Sequence, residues 1–373
     1  MTDAYSPASL QRYFMDYYNV FELPVDAPSH KAITENELIK TYSALIRNDA
    51  RSLLENLESH AVDYRKIVAP RSLEKSISDK YRNNLFGLNA ISAQPAYSLL
   101  LYLYTVWKLS SDGDKKANEF KEVVDFLGKY FIRRHLTEMP VVRGLSDVFV
   151  DLVADYRENG VPEKGKEICC DILKKTLNHK LLISGYEDVV SKIAELNYTS
   201  PRDQERIRYL FAQYELKYNK NHGRSLFGSF WEKGYFKKSE GSNKTVYRYK
   251  YSIEHVFPRG DKGGDVPNEW IPMLKDKDTD NRIDFVDKLG NLTLLLQEEN
   301  ASIKQLGFIS ESENGVIEGK QPFIATLYRR IDDDIVSPTV TKWTEDEIQL
   351  RTDCLAKRMA DLLDFEYPEI IDY

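Results

Sequence analysis

The stretch "YSIEHVFPRG", Tyr251 to Gly260, decides how this chain is read. Tyr251 and Ile253 are strand formers alternating with polar residues, so the segment reads as a short strand that ends near His255. Pro258 cannot donate to a ladder, and Gly260, Gly263 and Gly264 mark a loop beyond it. Glu254 and His255 therefore stand side by side where a strand stops. That is either a solvated strand end or the working edge of a catalytic site, and the residues downstream choose between the two.

Downstream, "LGNLTLLLQEENASI" predicts a buried strand over Leu292–Leu296, preceded by Asn291 and followed by a helix that Asn300 opens. The order is strand, long loop, strand, helix, and it can gather Glu254, His255 and Asn300 around one small volume. Those residue types suit hydrolysis of a phosphodiester. A neutral imidazole near pH 7 can take a proton from water, which makes His255 the candidate base. A hard divalent cation, Mg²⁺ or Mn²⁺, supplies positive charge to the phosphate oxygens, and it prefers oxygen ligands such as the Glu254 carboxylate and the Asn300 amide. Asn291 is expected to brace the loop by bonding backbone near His255.

The whole chain sets the bounds. It has 373 residues, 42% hydrophobic and 30% charged, which suits one large or two smaller globular domains. Its net charge of -7 argues against a chain-wide nucleic-acid coat while leaving room for a local basic groove. The apolar run "AYSLLLYLYTVW", Ala96 to Trp107, falls short of the roughly 20 residues a bilayer needs and reads as a buried helix. The N-terminus lacks the pattern of a signal peptide. Cys169, Cys170 and Cys354 form no CxxC pair, so helix packing in a reducing cytoplasm is expected, without a Cys-ligated zinc.

Residues up to about 198 read as helices. "TENELIKTYSALIRNDARSLLENLESHAVDYRKI" carries apolar residues at three- and four-residue spacing behind a Thr34–Glu37 capping box. "GLSDVFVDLVADYRENG" ends at Gly160 with Pro162 just beyond. Ser200-Pro201 marks a shift in composition. From Pro201 to Gly260 there are 13 Lys or Arg against 6 Asp or Glu, interleaved with Phe227, Phe230, Trp231, Tyr235, Phe236, Tyr247 and Tyr249. A basic, aromatic approach suits a phosphate backbone, and Arg248, Lys250 and Arg259, around the Tyr251 strand and its exit loop, are the leading contacts. The competing reading of each residue alone is a solvated face with ordinary core aromatics. The acidic tail contains a helix with Thr344 as its N-cap and Glu345, Asp346 and Glu347 in the first turn.

The pieces "IEHVFP", "LGNLTLL" and the following Asn300 resemble the His-Asn-Asn form of the HNH, or His-Me finger, nucleases. More narrowly, they resemble the C-terminal nuclease domain of GmrSD-type type IV restriction enzymes. Trp270, Trp343, Ile348 and Arg351 fit the later places of that pattern. "HAVDYRKI" and "YFIRRHLTEMPVVRGLSDVFVDL" resemble, more weakly, the helical region that precedes it. Two departures stand out. No Asp-Gly-x-Gln-Arg motif of the ParB-like nucleotide-binding domain occurs, and the segment after Asn300 is longer than the family's, so its lysine falls on Lys304 or Lys320.

The resemblance implies a mainly α protein, with a helical domain over residues 1–198 and a ββα-metal nuclease domain embedded in helices over residues 199–373. It implies a metal-dependent DNA endonuclease, the nuclease subunit of a restriction or phage-defence system acting on DNA with modified cytosine. His255, Asn291 and Asn300 would be catalytic, Glu254 and Asn300 would hold Mg²⁺ or Mn²⁺, and Arg248, Lys250, Arg259 and Lys304 would contact DNA. The partner would be a separate ParB-like nucleotide-binding subunit. The alternative is a catalytically silent DNA-binding or scaffold subunit that works only with that partner.

Overall fold

Helices dominate the computed structural model, as the three- and four-residue apolar spacing of the first half requires. The structure describes residues 7–26, 30–70, 79–109, 116–141, 144–162, 169–179, 184–218, 230–231, 233–237, 245–260, 265–275, 285–303, 306–311, 317–320 and 341–365. The sheets among them are small, each an antiparallel pair. The chain divides into two compact units, Met1–Ser184 with Phe365–Tyr373, and Gly185–Asp364. The domain boundary expected at 198/199 lies within the second unit, between the helix that ends at Ala194 and the one that begins at Pro201.

The first unit holds α1 (Pro7–Tyr17), α2 (Glu35–Val68), α3 (Asp79–Ala90), α4 (Tyr97–Val106), α5 (Lys116–Thr137), α6 (Leu145–Asn159) and α7 (Cys169–His179). The apolar run read as a buried helix is α4, buried from Tyr97 through Tyr104. Its neighbours meet at one polar point. The buried carboxylate of Asp16 on α1 accepts from Arg12 at 2.9 and 2.8 Å, from Tyr64 of α2 at 2.9 Å and from Ser98 of α4 at 2.8 Å. Saturating the carboxylate in this way offsets the cost of burying its charge.

Helix ends follow their local chemistry. Glu37 accepts from the Thr34 backbone N–H at 2.9 Å, closing the capping box that starts α2. α6 stops at Gly160, whose φ of 85° suits glycine and whose N–H bonds the Tyr156 carbonyl at 3.0 Å. One feature departs from the single helix expected over 34–67. Asp49 is non-helical at φ -154° and ψ 89°, and its carboxylate accepts the Ser52 N–H at 3.0 Å. A short acceptor side chain here ends one helical segment and caps the next.

The second unit holds α8 (Tyr186–Ala194), α9 (Pro201–Tyr218), β1 (Lys233–Lys237), β2 (Thr245–Tyr249), β3 (Tyr251–His255), β4 (Leu292–Leu296), α10 (Gln297–Ile303), β5 (Ser310–Glu311), β6 (Ile317–Glu318) and α11 (Glu345–Leu363). β3 and β4 pair from Tyr251↔Leu296 to His255↔Leu292, and α10 follows β4 directly. Below this pair Val256, Phe257, Trp270, Phe285, Val286, Phe308, Trp343 and Ile348 form a buried cluster. The Phe257 ring lies 5.1 Å from Trp270 and 5.3 Å from Phe285, and Phe308 stacks on Trp343 at 5.2 Å. α11 begins with the expected cap, Glu347 accepting from the Thr344 N–H at 2.8 Å. Among the described residues no helix is long and apolar enough to cross a membrane.

Candidate active site

Strand alternation sorts β3 into two sides. Tyr251, Ile253 and His255 share one side, where Tyr251 and Ile253 are buried; Ser252 and Glu254 share the other. Where β3 ends, the chain is fixed by Asn291, which is fully buried. Its Oδ1 accepts from the Phe257 N–H at 2.7 Å and from Trp343 Nε1 at 3.0 Å. Its Nδ2 donates to the carbonyls of Phe257 at 2.9 Å and Val286 at 2.7 Å. The Asn291 carbonyl also accepts the Val256 N–H at 2.9 Å. This one amide therefore clamps the turn that carries His255.

The clamp is itself held by α11. The buried Arg351 guanidinium donates to the carbonyls of Gly290 at 2.6 Å and Leu292 at 2.7 Å, on either side of Asn291. A β-carbon at Gly290 would lie 2.0 Å from the Ile348 carbonyl oxygen and 2.5 Å from Thr352 Oγ1, so glycine is what lets β4 begin against the helix. Trp343, Ile348 and Arg351, singled out by the family resemblance, thus serve as scaffold for the residues around His255.

His255 bonds Asp287 through its Nε2 and Asp287 Oδ1, 2.8 Å apart. Arg259 Nε donates to the same oxygen at 2.8 Å, and its Nη2 reaches that oxygen too. Burial works to raise the Asp287 pKa, but hydrogen bonds from His255 and Arg259 hold it below the usual carboxylate range. An ionised carboxylate only accepts, so Nε2 carries a proton and the neutral ring presents its lone pair at Nδ1. Burial lowers the His255 pKa, outweighing the hydrogen bond to Asp287. Tyr198 meets the imidazole edge-on at 5.2 Å, and the Arg259 guanidinium lies 5.3 Å from the Tyr198 ring.

On the other side of β3, the Lys320 Nζ donates to Glu254 Oε1 and to the His255 carbonyl, each at 2.8 Å. Lys320 is completely buried, and burial lowers its pKa against the opposing pull of Glu254. Asn300 Nδ2 donates to Ser252 Oγ at 2.7 Å, which sets α10 beside the face that carries Glu254. Among the described residues, none of the Glu254, His255 and Asn300 side chains hydrogen-bonds another. Glu254 and His255 meet instead through Lys320.

These donors fit one kind of metal. Among the described residues no three His, Cys, Asp or Glu side chains gather as a ligand set. One carboxylate and one amide oxygen suit Mg²⁺ or Mn²⁺, which keep waters and take substrate phosphate, better than zinc. The Lys320 ammonium bonds one of the two Glu254 carboxylate oxygens, Oε1.

The expected DNA contacts separate. Arg248 on β2 and Lys250 just beyond it are exposed. Arg259 is committed to Asp287 at one edge of its guanidinium. Lys304 lies outside the described residues. Asp287 and Tyr198 carry no role in the motif reading. Asp287 has a signal in hindsight, an acid inside the apolar run "FVDKLGNLTLL". Tyr198 has none, because its contact with His255 joins residues far apart in sequence.

Residues 190–358 match the family described as GmrSD restriction endonucleases, C-terminal domain. No curated protein matches the chain. The matched stretch is similar to the C-terminal domain of GmrSD restriction endonucleases, and it contains Tyr198, Glu254, His255, Asp287, Asn291, Asn300 and Lys320.

Proposed function

We propose that the GmrSD-type domain of this chain is a metal-dependent DNA endonuclease of the HNH class, with β3, β4 and α10 as its ββα-metal core. The carrying observation is the His255–Asp287 bond within the matched domain. In this reading His255 Nδ1 takes the proton of the attacking water, and the Asp287 carboxylate stabilises the imidazolium that forms. Asn291 holds the turn that sets the ring's position. Glu254 and Asn300 would hold Mg²⁺ or Mn²⁺, with Lys320 placing the Glu254 carboxylate. When bound, such an ion neutralises charge developing on the phosphate oxygens. Arg248, Lys250, Arg259 and Lys304 would take DNA phosphates. The reading extends to a cytoplasmic restriction or phage-defence system, to DNA with modified cytosine and to a separate ParB-like nucleotide-binding partner.

The test is cleavage of matched duplexes carrying unmodified, hydroxymethylated or glucosylated cytosine. Mg²⁺, Mn²⁺ or chelator is varied, with and without nucleoside triphosphate and a ParB-like partner. Metal-dependent cutting that is strongest on a modified duplex is expected. No cutting of any duplex under any of these conditions would overturn the reading.

Asp287→Asn is expected to lower the cleavage rate by about 10² to 10⁴, because a general base held in the wrong tautomer loses its contribution. An amide can turn its donor toward Nε2 and favour the wrong tautomer. Single-turnover rates check this, and an unchanged rate would remove Asp287 from the mechanism.

The Lys320–Glu254 pair also supports a second reading, a silent DNA-binding or scaffold subunit, because an ammonium on that carboxylate is what a site retired from metal chemistry would hold. Calorimetric titration with Mn²⁺ separates the two. The nuclease reading expects weak binding that Glu254→Gln abolishes; the scaffold reading expects no binding.

A further inference from the structure

The β1/β2 ribbon exposes aromatic rings where a merely solvated ribbon would carry charge. Tyr235 and Tyr247 are cross-strand partners, 77% and 57% exposed, with ring centroids 5.0 Å apart at 42°. An exposed pair of this kind adds only modestly to the stability of a ribbon. Large parts of both ring surfaces face solvent.

Cations outnumber acids around the pair, where Glu205 accepts from the Tyr249 hydroxyl at 3.3 Å. On the same side, Lys233 pairs with Tyr249 and holds its Nζ 4.5 Å from that ring, while the Arg208 guanidinium lies 4.0 Å from it. On the other side, the exposed Arg248 stands opposite Gly234, which offers no side chain to cover it. The strand sequences KGYFK and TVYRY contain no carboxylate, although the chain as a whole is acidic. A polyanion complements this surface. Phosphate contacts alone would need no rings. Rings combined with cations are the means by which proteins hold unpaired bases along a charged backbone.

We propose that the β1/β2 ribbon binds unpaired bases of DNA, with Tyr235 and Tyr247 stacking on them and Lys233 and Arg248 taking flanking phosphates. The proposal deepens the nuclease reading and rests on it for the choice of DNA as ligand. It needs neither the metal nor His255.

The experiment is fluorescence anisotropy on the full chain in chelator, with a labelled oligothymidylate of about 12 nucleotides, within the usual site size, and a matched duplex. Wild type should bind the single strand in chelator. The double variant Tyr235→Ala/Tyr247→Ala should lose at least about 10-fold in single-strand affinity, since stacking is worth about 1–3 kcal/mol per base. Tyr235→Phe/Tyr247→Phe should retain it, because the ring faces remain. Arg248→Gln should flatten the salt dependence by about 0.7 in log–log slope. Circular dichroism should show the fold intact in each. Wild-type single-strand affinity in the double alanine variant would overturn the proposal. So would a double alanine variant that loses as much duplex affinity as single-strand affinity, since the rings would then not be reading unpaired bases. Intact binding by a chain that cuts nothing would count against the nuclease reading alone.

Discussion

Asn291→Ala is expected to destabilise the second unit by about 2 to 6 kcal/mol. The substitution leaves two buried donors, the Phe257 N–H and Trp343 Nε1–H, without their acceptor, each at about 1–3 kcal/mol. The carbonyls of Phe257 and Val286 lose a donor as well. A loss of that size approaches the whole stability of an ordinary domain, roughly 5–15 kcal/mol. The turn carrying His255 would loosen before the helices melt. Denaturant titration followed by tryptophan fluorescence checks this, because Trp343 bonds the lost amide directly. Asn291→Asp should also destabilise, since a carboxylate cannot donate to the two carbonyls. A wild-type midpoint in Asn291→Ala would show that the turn is held some other way.

The Thr34–Glu37 capping box, the Thr344 N-cap and the buried strand Leu292–Leu296 were legible because each rests on neighbours in sequence. Thr34 with Glu37, and Thr344 with Glu347, satisfy backbone donors one helical turn away. "LTLLL" carries leucines on both faces of the strand, so neither face can turn to water. Asn291 was legible as a brace because a polar residue entering such a strand must find its partners in backbone.

What stayed hidden depends on contacts distant in sequence. Asp287 meets His255 only after the long loop has closed, and Lys320 reaches Glu254 from beyond β6. The break at Asp49 was hidden for a different reason. The apolar spacing continues across it, and periodicity alone does not report a side chain that competes for backbone donors. The stretch from Lys233 to Tyr249 read as basic and aromatic, but without the alternation that would have revealed a ribbon; its exposed Tyr235 and Tyr247 look like core residues in composition.

His255→Ala is expected to lower DNA cleavage by about 10² to 10⁴, the usual contribution of a general base. The fold should survive. His255 stands at a strand end, and Asp287 keeps its ion pair with Arg259 when the imidazole is gone, so no buried carboxylate is orphaned. Losing one hydrogen bond to a charged group costs about 1.5–3 kcal/mol, the lower part of the range expected for Asn291→Ala. Asn300→Ala should also cut more slowly but recover in part as Mn²⁺ rises, because metal affinity rather than proton transfer is lost. The decisive measurement is therefore single-turnover cleavage by wild type, His255→Ala and Asn300→Ala across a Mn²⁺ titration, with melting temperatures recorded for each. The nuclease account predicts a folded His255→Ala that stays slow at every metal concentration while Asn300→Ala recovers. A folded His255→Ala that cuts at the wild-type rate at any metal concentration would contradict it.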